Sequence, residues 1–372
     1  MRFLRIHENS PYRRLVGIGG LGTGMFFALE GEHTLGRNES RAGRLLDVRD
    51  YCKLHIVTHY VAKLLGARPS GAPFHVVPCG LVGSDSAGRH VIDQMADAGI
   101  ATAHVRVMPG TPTLFSVCFQ YPDGTGGNIT TSNSAAEMLR KSDIDETLGL
   151  LRQDHGRVIA LAVPEVPLDV RMHFLEAASR AGAFRAASFV AAEVRAARDA
   201  GMFHLLDLVA LNESEAEILV GRSFSPDSPE PFVRSCQDLL RNLYENLDMV
   251  VSVGKQGAYA ITAKELNYCP APHVEVASTA GAGDALLGGI LAAVAAGIPF
   301  LRSGGQKDCP SNIQTALQFG VLLASYKCLS RHTINPIACV DALVEFADSV
   351  GLSFSAEVQN LFAGDTLSHP ES

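Results

Sequence analysis

The sequence predicts an α/β fold built on a mainly parallel central sheet, and three observations support this. Short apolar runs typical of buried strands alternate along the chain with longer runs of helical periodicity. Polar or glycine-rich loops follow the ends of these strands. Strands that alternate with helices pair in parallel and are covered on both faces. We therefore expect ligands at the carboxyl ends of the strands.

Composition argues against several classes of function. The net charge of −8 and the pI of about 5.9 disfavour a general binder of nucleic acid or anionic membranes. No apolar run approaches the ~20 residues of a membrane span. The eight cysteines include no Cys-x-x-Cys pair, so neither a zinc knuckle nor a disulfide framework is indicated. We expect reduced thiols, a cytoplasmic protein, and neither nucleic acid nor membrane among its partners.

The chain begins with a strand that runs into glycines. Residues 15–20 form this strand, and Gly17, Gly19 and Gly22 match the G-x-G-x-x-G spacing of a dinucleotide site. Only a short apolar run follows before Gly31, where such a site requires a long helix. A nicotinamide or flavin site is therefore the less favoured interpretation.

A helix is predicted over residues 51–66, after short strands and turns between residues 25 and 50. Lys53 and His55 lie at the start of this helix. They are candidates for substrate contacts. The alternative is that they form a solvated or ion-paired helix start.

The middle of the chain continues the alternation of strands and helices. Asp85 follows the strand predicted over residues 74–81 and is placed to cap the next helix. A glycine-rich turn at residues 123–127 predicts a hairpin. The next elements predicted from periodicity are a strand at 158–163, a helix at 168–181, a strand at 184–190, a helix at 194–201 and a strand at 205–211.

Three short motifs rich in polar residues or glycine follow predicted strands in the C-terminal half of the chain. Asn212-Glu-Ser-Glu215 has the pattern of a capping box, and Gly254-Lys-Gln-Gly257 has that of a tight turn. Thr279-Ala-Gly-Ala-Gly-Asp284 precedes an apolar, small-residue helix that extends to Gly297. Free amides at a helix start can hold a phosphate or an oxyanion, and a neighbouring carboxylate can accept a proton. Taken alone, Asp284 could equally be only a helix cap.

The chain resembles the ribokinase-like (PfkB) carbohydrate kinases in four sequence motifs, which occur along the chain in the same order as in the family. They are Gly80-Leu-Val-Gly-Ser-Asp85, Asn212-x-x-Glu215, Gly254-x-x-Gly257 and Thr279-x-Gly-Ala-Gly-Asp284. The resemblance extends over about residues 15–329. It implies a ribokinase-like three-layer αβα sandwich over residues 1–372, with a small β-sheet lid from about residues 24–50 and 108–134. We expect residues 355–372 to form a mobile tail.

The resemblance also implies roles for individual residues. Those carried over from the motifs are Asp284 as catalytic base, the amides of Gly281, Ala282 and Gly283 as anion hole, and Asn212, Glu215, Gly254, Lys255, Gly257 and Thr279 as nucleotide contacts. In the family the glutamate acts through water on Mg²⁺, so Glu215 is the predicted metal residue. One such carboxylate suffices because Mg²⁺ keeps much of its water shell.

The substrate side departs from the family. Gly22, Thr23 and Gly24 stand at the first strand end, where relatives often have an acid that holds sugar hydroxyls. We expect Gly22, Thr23, Lys53 and His55 to contact the substrate instead. Ser278 stands where several members have an acid that helps to bind a monovalent cation, so activation by such a cation is left open.

The predicted function is ATP-dependent, Mg²⁺-assisted phosphorylation of a hydroxyl on a sugar or sugar-like molecule. One alternative is a nucleoside kinase, whose base would need contacts such as Phe26, Phe27 and Phe115 because the chain has no Trp. The other is a non-catalytic nucleotide- or sugar-binding protein on the same scaffold. The edge strands of the lid offer a surface for a homodimer.

Overall fold

The computed structural model describes residues 2–123, 126–302 and 311–364. Its strands are β1 (Arg2–Leu4), β2 (Arg14–Ile18), β3 (Gly22–Leu29), β4 (Gly43–Tyr51), β5 (His75–Gly83), β6 (Val105–Met108), β7 (Leu114–Gln120), β8 (Gly126–Thr130), β9 (Val158–Ala162), β10 (Phe184–Ser188), β11 (Leu208–Asn212), β12 (Asp248–Ser252), β13 (Gly257–Ile261), β14 (Leu266–Pro270), β15 (Asn312–Ile313), β16 (Ser353–Phe354) and β17 (Phe362–Gly364). Its helices are α1 (Lys53–Leu65), α2 (Ser86–Asp97), α3 (Asp145–Leu150), α4 (Leu168–Arg180), α5 (Val194–Asp199), α6 (Glu213–Val220), α7 (Glu230–Leu243), α8 (Ala282–Ala295), α9 (Ala316–Cys328), α10 (Val340–Ser349) and α11 (Ala356–Gln359). No helix within these ranges is both long and apolar enough to cross a membrane.

The largest sheet of the described residues has nine strands, in the order β14-β13-β12-β11-β10-β9-β2-β5-β6. Every neighbouring pair from β12 to β6 is parallel, and β13 and β14 are added antiparallel at one edge. The predicted α/β class and the mainly parallel sheet are confirmed. The carboxyl ends of the parallel strands therefore meet along one edge of the sheet.

Alternate residues of the central strands face opposite layers of helices. In β9, Ile159 and Leu161 belong to a core shared with α1, α8 and α9. Val158 and Ala160 of the same strand belong to a second core, shared with α4, α6 and α7. The strands are apolar throughout because both faces are covered, which completes the three-layer αβα sandwich.

The glycines at the end of β2 allow close packing. A Cβ on Gly17 would lie 2.8 Å from Leu54 Cδ1, and one on Gly19 would lie 2.3 Å from Val163 Cγ2. Both positions therefore need glycine so that α1 and the end of β9 can approach β2. This contact accounts for the G-x-G-x-x-G spacing without a dinucleotide loop.

A separate four-stranded sheet, here called the small sheet, has the order β4-β3-β7-β8. It begins at Gly22, directly after β2. Its central strands β3 and β7 are parallel, and β4 and β8 are added antiparallel at the two edges. Its strands fall in and around the two segments expected to form a lid, and side chains alternate between its two faces.

The expectation of a mobile tail over residues 355–372 is wrong for the part that the structure describes. Here α11 is followed by β17, which pairs antiparallel with β1. Val358 and Ala363 are buried in this contact, so apolar burial outweighs the polar composition of the segment. Residues 365–372 lie outside the described ranges.

Candidate active site

The helix α8 begins at a turn that requires glycine. Gly281, its N-cap residue, has a φ of +80°, and a Cβ there would lie 2.4 Å from the carbonyl oxygen of Thr333. A side chain would be strained by this φ and would collide with the backbone. Gly283 is different, because a Cβ on it would have no atom within 4 Å among the described residues. Its lack of a side chain leaves open space beside the backbone.

Small residues hold α8 in place behind this turn. A Cβ on Gly288 would lie 3.0 Å from Tyr60 Cβ, and one on Gly289 would lie 2.9 Å from the Cα of Gly320. The backbone of α8 therefore approaches α1 and α9 closely. Two packed helices thus fix the start of α8 at the edge of the sheet.

Asp284 is the third residue of α8 and does not cap it. The residue is 8% exposed. Lys53 Nζ, at the start of α1, lies 3.4 Å from Asp284 Oδ1. This carboxylate raises the pKa of Lys53 above its usual range, so the ammonium stays charged at neutral pH. The interpretation of Asp284 as only a cap is wrong, and Lys53 forms an ion-paired helix start.

The amides at the start of α8 differ in their availability. The N–H of Ala282 donates to the Thr279 carbonyl at 3.0 Å and is satisfied within the loop. The N–H groups of Gly281 and Gly283 have no acceptor among the described residues. The predicted anion hole is therefore corrected at one position. Gly281 and Gly283 offer free donors, and Ala282 stabilises the turn that presents them.

The segment 279–284 separates two cavities. The larger cavity, of about 850 Å³, lies between this segment and the small sheet, with Asp284 and Gly281 on its wall. The smaller cavity, of about 540 Å³, has Gly283 on its wall. Thr279 lines both cavities. A carboxylate on one side and a free amide on the other therefore lie within one short loop.

The smaller cavity combines polar strand ends with an apolar slot. Its wall includes five of the six predicted nucleotide contacts: Asn212, Gly254, Lys255, Gly257 and Thr279. Its apolar part includes Ala258, Leu286, Val321 and Ala324. A concave site with an apolar slot and a few convergent polar groups can bind a small molecule that has an apolar and an anionic part.

Gly254 and Gly257 form the tight turn between β12 and β13. Their φ angles are +56° and +115°. A Cβ on Gly257 would lie 2.1 Å from the carbonyl oxygen of Cys269, so glycine is needed there for close approach to β14. The turn places Lys255 at the smaller cavity.

Asn212 and Glu215 form the predicted capping box of α6. The Glu215 N–H donates to Asn212 Oδ1 and the Asn212 N–H donates to Glu215 Oε2, both at 2.9 Å. Burial raises the pKa of Glu215. Asn212 lines the smaller cavity, whereas Glu215 does not. The structural role of the pair is confirmed, and the metal role of Glu215 stays a prediction.

Three carboxylates converge on Lys53. Asp284, Glu165 and Glu215 all raise its pKa by Coulombic attraction. Glu165 Oε2 is buried and has no hydrogen-bond partner among the described residues. Only Asp284 is within ion-pair distance of Lys53, and burial disfavours the charged forms of Glu165 and Glu215. The described residues contain no group of three or more His, Cys, Asp or Glu that could hold a metal.

Glu165 is a candidate site residue that the sequence analysis missed. Burial raises its pKa to about 7, and its φ of +74° is unusual for a residue other than glycine. Such backbone strain is concentrated at functional sites. The available signal was an acidic residue just past the carboxyl end of a parallel strand, β9, at the edge where ligands bind.

Comparison with known proteins decides the family. Residues 57–338 match the model of the pfkB family carbohydrate kinase. This chain belongs to the PfkB family. The Haloferax volcanii 1-phosphofructokinase is 27% identical over 238 residues, which is 64% of this chain and 69% of that protein. The Salmonella typhimurium deoxyribokinase is 24% identical over 267 residues, which is 71% of this chain and 79% of that protein. The protein is a carbohydrate kinase that acts on a sugar-like substrate.

Solved structures share the ribokinase-like fold of this PfkB kinase. Ribokinase from Giardia lamblia has a TM-score of 0.72 at 18% identity and covers 91% of this chain and 99% of its own. Ribokinase from Cryptococcus neoformans in complex with ADP has a TM-score of 0.71 at 20% identity, over 90% of this chain and 99% of its own. The predicted ribokinase-like architecture is confirmed.

Three of the four residues predicted for the substrate of this PfkB kinase are occupied elsewhere. A Cβ on Gly22 would lie 2.3 Å from the Leu114 carbonyl oxygen, so Gly22 serves close pairing of β3 and β7. Thr23 Oγ1 donates to the Asp50 carbonyl at 2.8 Å. His55 is 1% exposed and packs on Tyr51 with a ring-centroid distance of 4.5 Å. None of the four, Lys53 included, lines the larger cavity. Gly22, Thr23 and His55 serve strand pairing and core packing, and Lys53 pairs with Asp284.

Asp50 brings a carboxylate to the wall of the larger cavity. It lies opposite Gly24 on the neighbouring strand, and a Cβ on Gly24 would lie 2.6 Å from Asp50 Oδ2. Asp50 is 9% exposed and lines the larger cavity of the kinase. The thiol of Cys118 donates to Oδ2 at 3.6 Å. Burial raises the pKa of Asp50 to about 6.

The aromatic candidates for a nucleoside base are not together in the kinase. Phe26 lines the larger cavity, whereas Phe27 and Phe115 do not. Neighbouring residues of a strand point to opposite faces, so Phe26 and Phe27 cannot face one ligand. These three residues therefore do not form a sandwich around a base.

Proposed function

We propose that this carbohydrate kinase transfers the γ-phosphoryl group of ATP to a hydroxyl of a sugar or sugar-like molecule. ATP occupies the smaller cavity and the acceptor occupies the larger one. The observation that supports this assignment is the shared wall at residues 279–284, which has Asp284 on the acceptor side and the free amide of Gly283 on the nucleotide side. A phosphoryl group that is transferred from one cavity to the other would pass close to the Asp284 carboxylate and to the Gly283 amide.

The chemistry requires few groups. Asp284 accepts the proton of the attacking hydroxyl. The amides of Gly281 and Gly283 and the ammonium of Lys53 stabilise the charge on the phosphoryl oxygens. Phosphoryl transfer depends mainly on positioning and electrostatic stabilisation, so this set is sufficient. Closure of the small sheet over the larger cavity would exclude water and suppress ATP hydrolysis.

Mg²⁺ fits this site as a partner of the nucleotide. Burial disfavours the charged forms of Glu165 and Glu215, and a bound cation would favour them. Glu215, at the strand end beside the smaller cavity, would hold the ion through water, and Asn212 would lie near the phosphates. The ion supplies positive charge to the phosphate oxygens when bound.

One carboxylate is placed to hold the acceptor. Asp50 on the wall of the larger cavity accepts hydrogen bonds from hydroxyl groups. A buried carboxylate without a cationic partner is costly unless donors satisfy it, and a polyol brings such donors. Lys53 contacts the phosphoryl group rather than the sugar.

We also propose a homodimer and a cytoplasmic location. The dimer would form through the small sheet, where Ile129 is 68% exposed on an edge strand. The location follows from the need for ATP as donor.

The first experiment measures ADP release from Mg-ATP across sugars, sugar phosphates and nucleosides, with Asp284→Asn in parallel. We expect acceptor-dependent release that falls by about 100-fold or more in the variant, while ADP affinity is retained. Turnover retained in the variant would contradict the role of Asp284. No ADP release with any acceptor, while the protein still binds ATP, would favour a non-catalytic binding protein on the same scaffold.

A further inference from the structure

Lys327 is a buried cation next to the catalytic loop. Lys327 is 0% exposed, and its Nζ donates a hydrogen bond to the Ser278 carbonyl at 2.9 Å. No carboxylate of the described residues lies within salt-bridge distance of this ammonium. Burying a charge without an ionic partner is expensive. An apolar side chain would fill the same space at lower cost, so the position requires an explanation.

The end of α9 and the start of the catalytic loop form one hydrogen-bonded unit around this ammonium. The Cys328 carbonyl accepts from the N–H groups of Ala277 and Ser278, at 2.8 and 3.2 Å. The Ala280 N–H donates to Ser278 Oγ at 3.2 Å. Lys327 therefore fixes the carbonyl of Ser278. From Ser278 the chain turns towards the free amide of Gly281.

A monovalent cation does not fit this unit. Such an ion needs several oxygen ligands, and Ser278 stands where members with a cation site have an acid. The Ser278 carbonyl is already bound by Nζ, and a second cation beside a buried ammonium would be repelled strongly at low dielectric. The residues present disagree with the cation site found in part of the family.

We propose that the ammonium of Lys327 takes the place of the monovalent cation and makes this kinase independent of K⁺ and Na⁺. The inference rests on the proposed function, because it concerns the loop assigned to phosphoryl transfer. The ammonium polarises the Ser278 peptide and fixes the approach to the anion hole. Burial lowers the pKa of Lys327 to about 8, and Asp284 opposes this shift, so the side chain remains protonated at neutral pH.

The wild-type enzyme is assayed in KCl, NaCl and tetramethylammonium chloride at equal ionic strength. We expect the same kcat and the same ADP affinity in all three salts, and no specific rise of the unfolding temperature with K⁺. Activation by K⁺ of about fivefold or more, the lower end of typical coupling between two ligands, would overturn the proposal.

Variants separate the lysine from its surroundings. Lys327→Ala is expected to lose about 10- to 100-fold in kcat, the usual effect of a lost hydrogen bond to a charged group. Ethylammonium, which fits the space left by the side chain, should restore part of the loss. Lys327→Arg keeps a cation and should remain salt-independent. Lys264→Ala is the matched control, because Lys264 is exposed on the turn after β13.

The double variant Ser278→Asp/Lys327→Ala should gain dependence on K⁺, since it restores an acid and removes the competing ammonium. A double variant that does not respond to K⁺ in activity or ADP affinity, together with a fully active Lys327→Ala, would contradict the role of the lysine. If Lys327→Ala does not fold, the wild-type salt series and Lys327→Arg decide.

Failure of the proposed function is recognised separately. It appears as no acceptor-dependent ADP release in any salt. Calorimetric ADP binding in K⁺ and in tetramethylammonium then still tests whether a cation contributes to the loop.

Discussion

Gly24 and Asp50 form a reciprocal pair at the floor of the larger cavity. The glycine has no side chain, and the carboxylate of Asp50 enters the space that a Cβ on Gly24 would occupy. The absence of an acidic residue at position 24 on β3 therefore does not mean that the larger cavity lacks a carboxylate. The carboxylate reaches the site from β4, and its neighbours are the Cys118 thiol and, further away, the charge of Asp284.

Asp50→Asn tests this role at the residue scale. We expect KM for the acceptor to rise about 10- to 100-fold, as for a lost hydrogen bond to a charged group, while KM for ATP stays near wild type. In the wild type, kcat/KM should fall as the pH drops through about 6, where Asp50 takes up a proton. Steady-state kinetics across pH measure both effects. An unchanged acceptor KM would remove Asp50 from the site.

The same variant should be more stable. The folded pKa of Asp50, about 6, lies above the ordinary value of 3.8. Its contribution to stability is therefore greatest below the unfolded pKa and is lost as the pH rises through about 6. At neutral pH we expect Asp50→Asn to raise the free energy of unfolding by up to about 3 kcal/mol. Denaturant titration measures this, and a gain that persists at pH values below 3.8 would exclude the charge as its cause.

The two glycines of the loop should respond differently to alanine. Gly281→Ala places a methyl group against the Thr333 carbonyl at positive φ and should cost about 2 kcal/mol or more of stability. Gly283→Ala meets open space, so its stability should change by less than about 0.5 kcal/mol. It should nevertheless weaken ADP binding, because the methyl group enters the smaller cavity. Thermal unfolding and calorimetry compare the pair, and similar destabilisation of both would contradict the geometry.

At the scale of elements, the two faces of the small sheet have different chemistry. Phe26, Cys118 and Asn128 lie in one row and face the larger cavity. Val117 pairs with Met25 and with Ile129 in a row that faces the other way. Because strand side chains alternate, one short sheet presents both a substrate wall and an apolar outer face. A homodimer would cover this face.

Ile129→Glu is expected to convert the proposed dimer to monomers, since it places a charge in an apolar interface. Val107→Glu is the matched control, because Val107 is 50% exposed but lies on β6 of the main sheet. Light scattering after size-exclusion chromatography measures the mass of each variant. A monomeric wild type, or an Ile129→Glu variant that remains dimeric, would contradict the proposal.

At the scale of the whole molecule, the first and last strands that the structure describes pair with each other. β1 pairs with β17, and Phe362 of β17 packs against Phe354 with a ring-centroid distance of 5.2 Å. Phe354 in turn contacts Phe319 of α9 at 5.9 Å. Aromatic contacts therefore connect the last strand to the helix that also holds Lys327.

Removal of this closure should destabilise the kinase. A chain that ends at Ser355 loses α11 and β17, and we expect it to unfold with a free energy lower by about 2–5 kcal/mol, as for the loss of large buried apolar side chains. A chain that ends at Gly364 is the control. Thermal denaturation compares the two, and equal unfolding temperatures would show that the C-terminal segment contributes nothing to stability.

The sequence by itself determined the fold class and identified the loop at residues 279–284 to which we assign phosphoryl transfer. Strand and helix periodicity and the Asn212–Glu215 capping box depend on residues close together in the chain. Their geometry is set by local backbone preferences and caps, which a sequence pattern records directly.

Only the tertiary structure decided the surroundings of that loop. The contacts of Lys53 with Asp284, Lys327 with Ser278 and Asp50 with the space beside Gly24 join distant parts of the chain. No local periodicity encodes such pairs, because packing of α1, α9 and the small sheet at one edge of the main sheet creates them. The same packing removed His55 and Gly22 from the site. The larger cavity is therefore a property of the assembled edge, whereas the motif at residues 279–284 can be recognised from six consecutive residues.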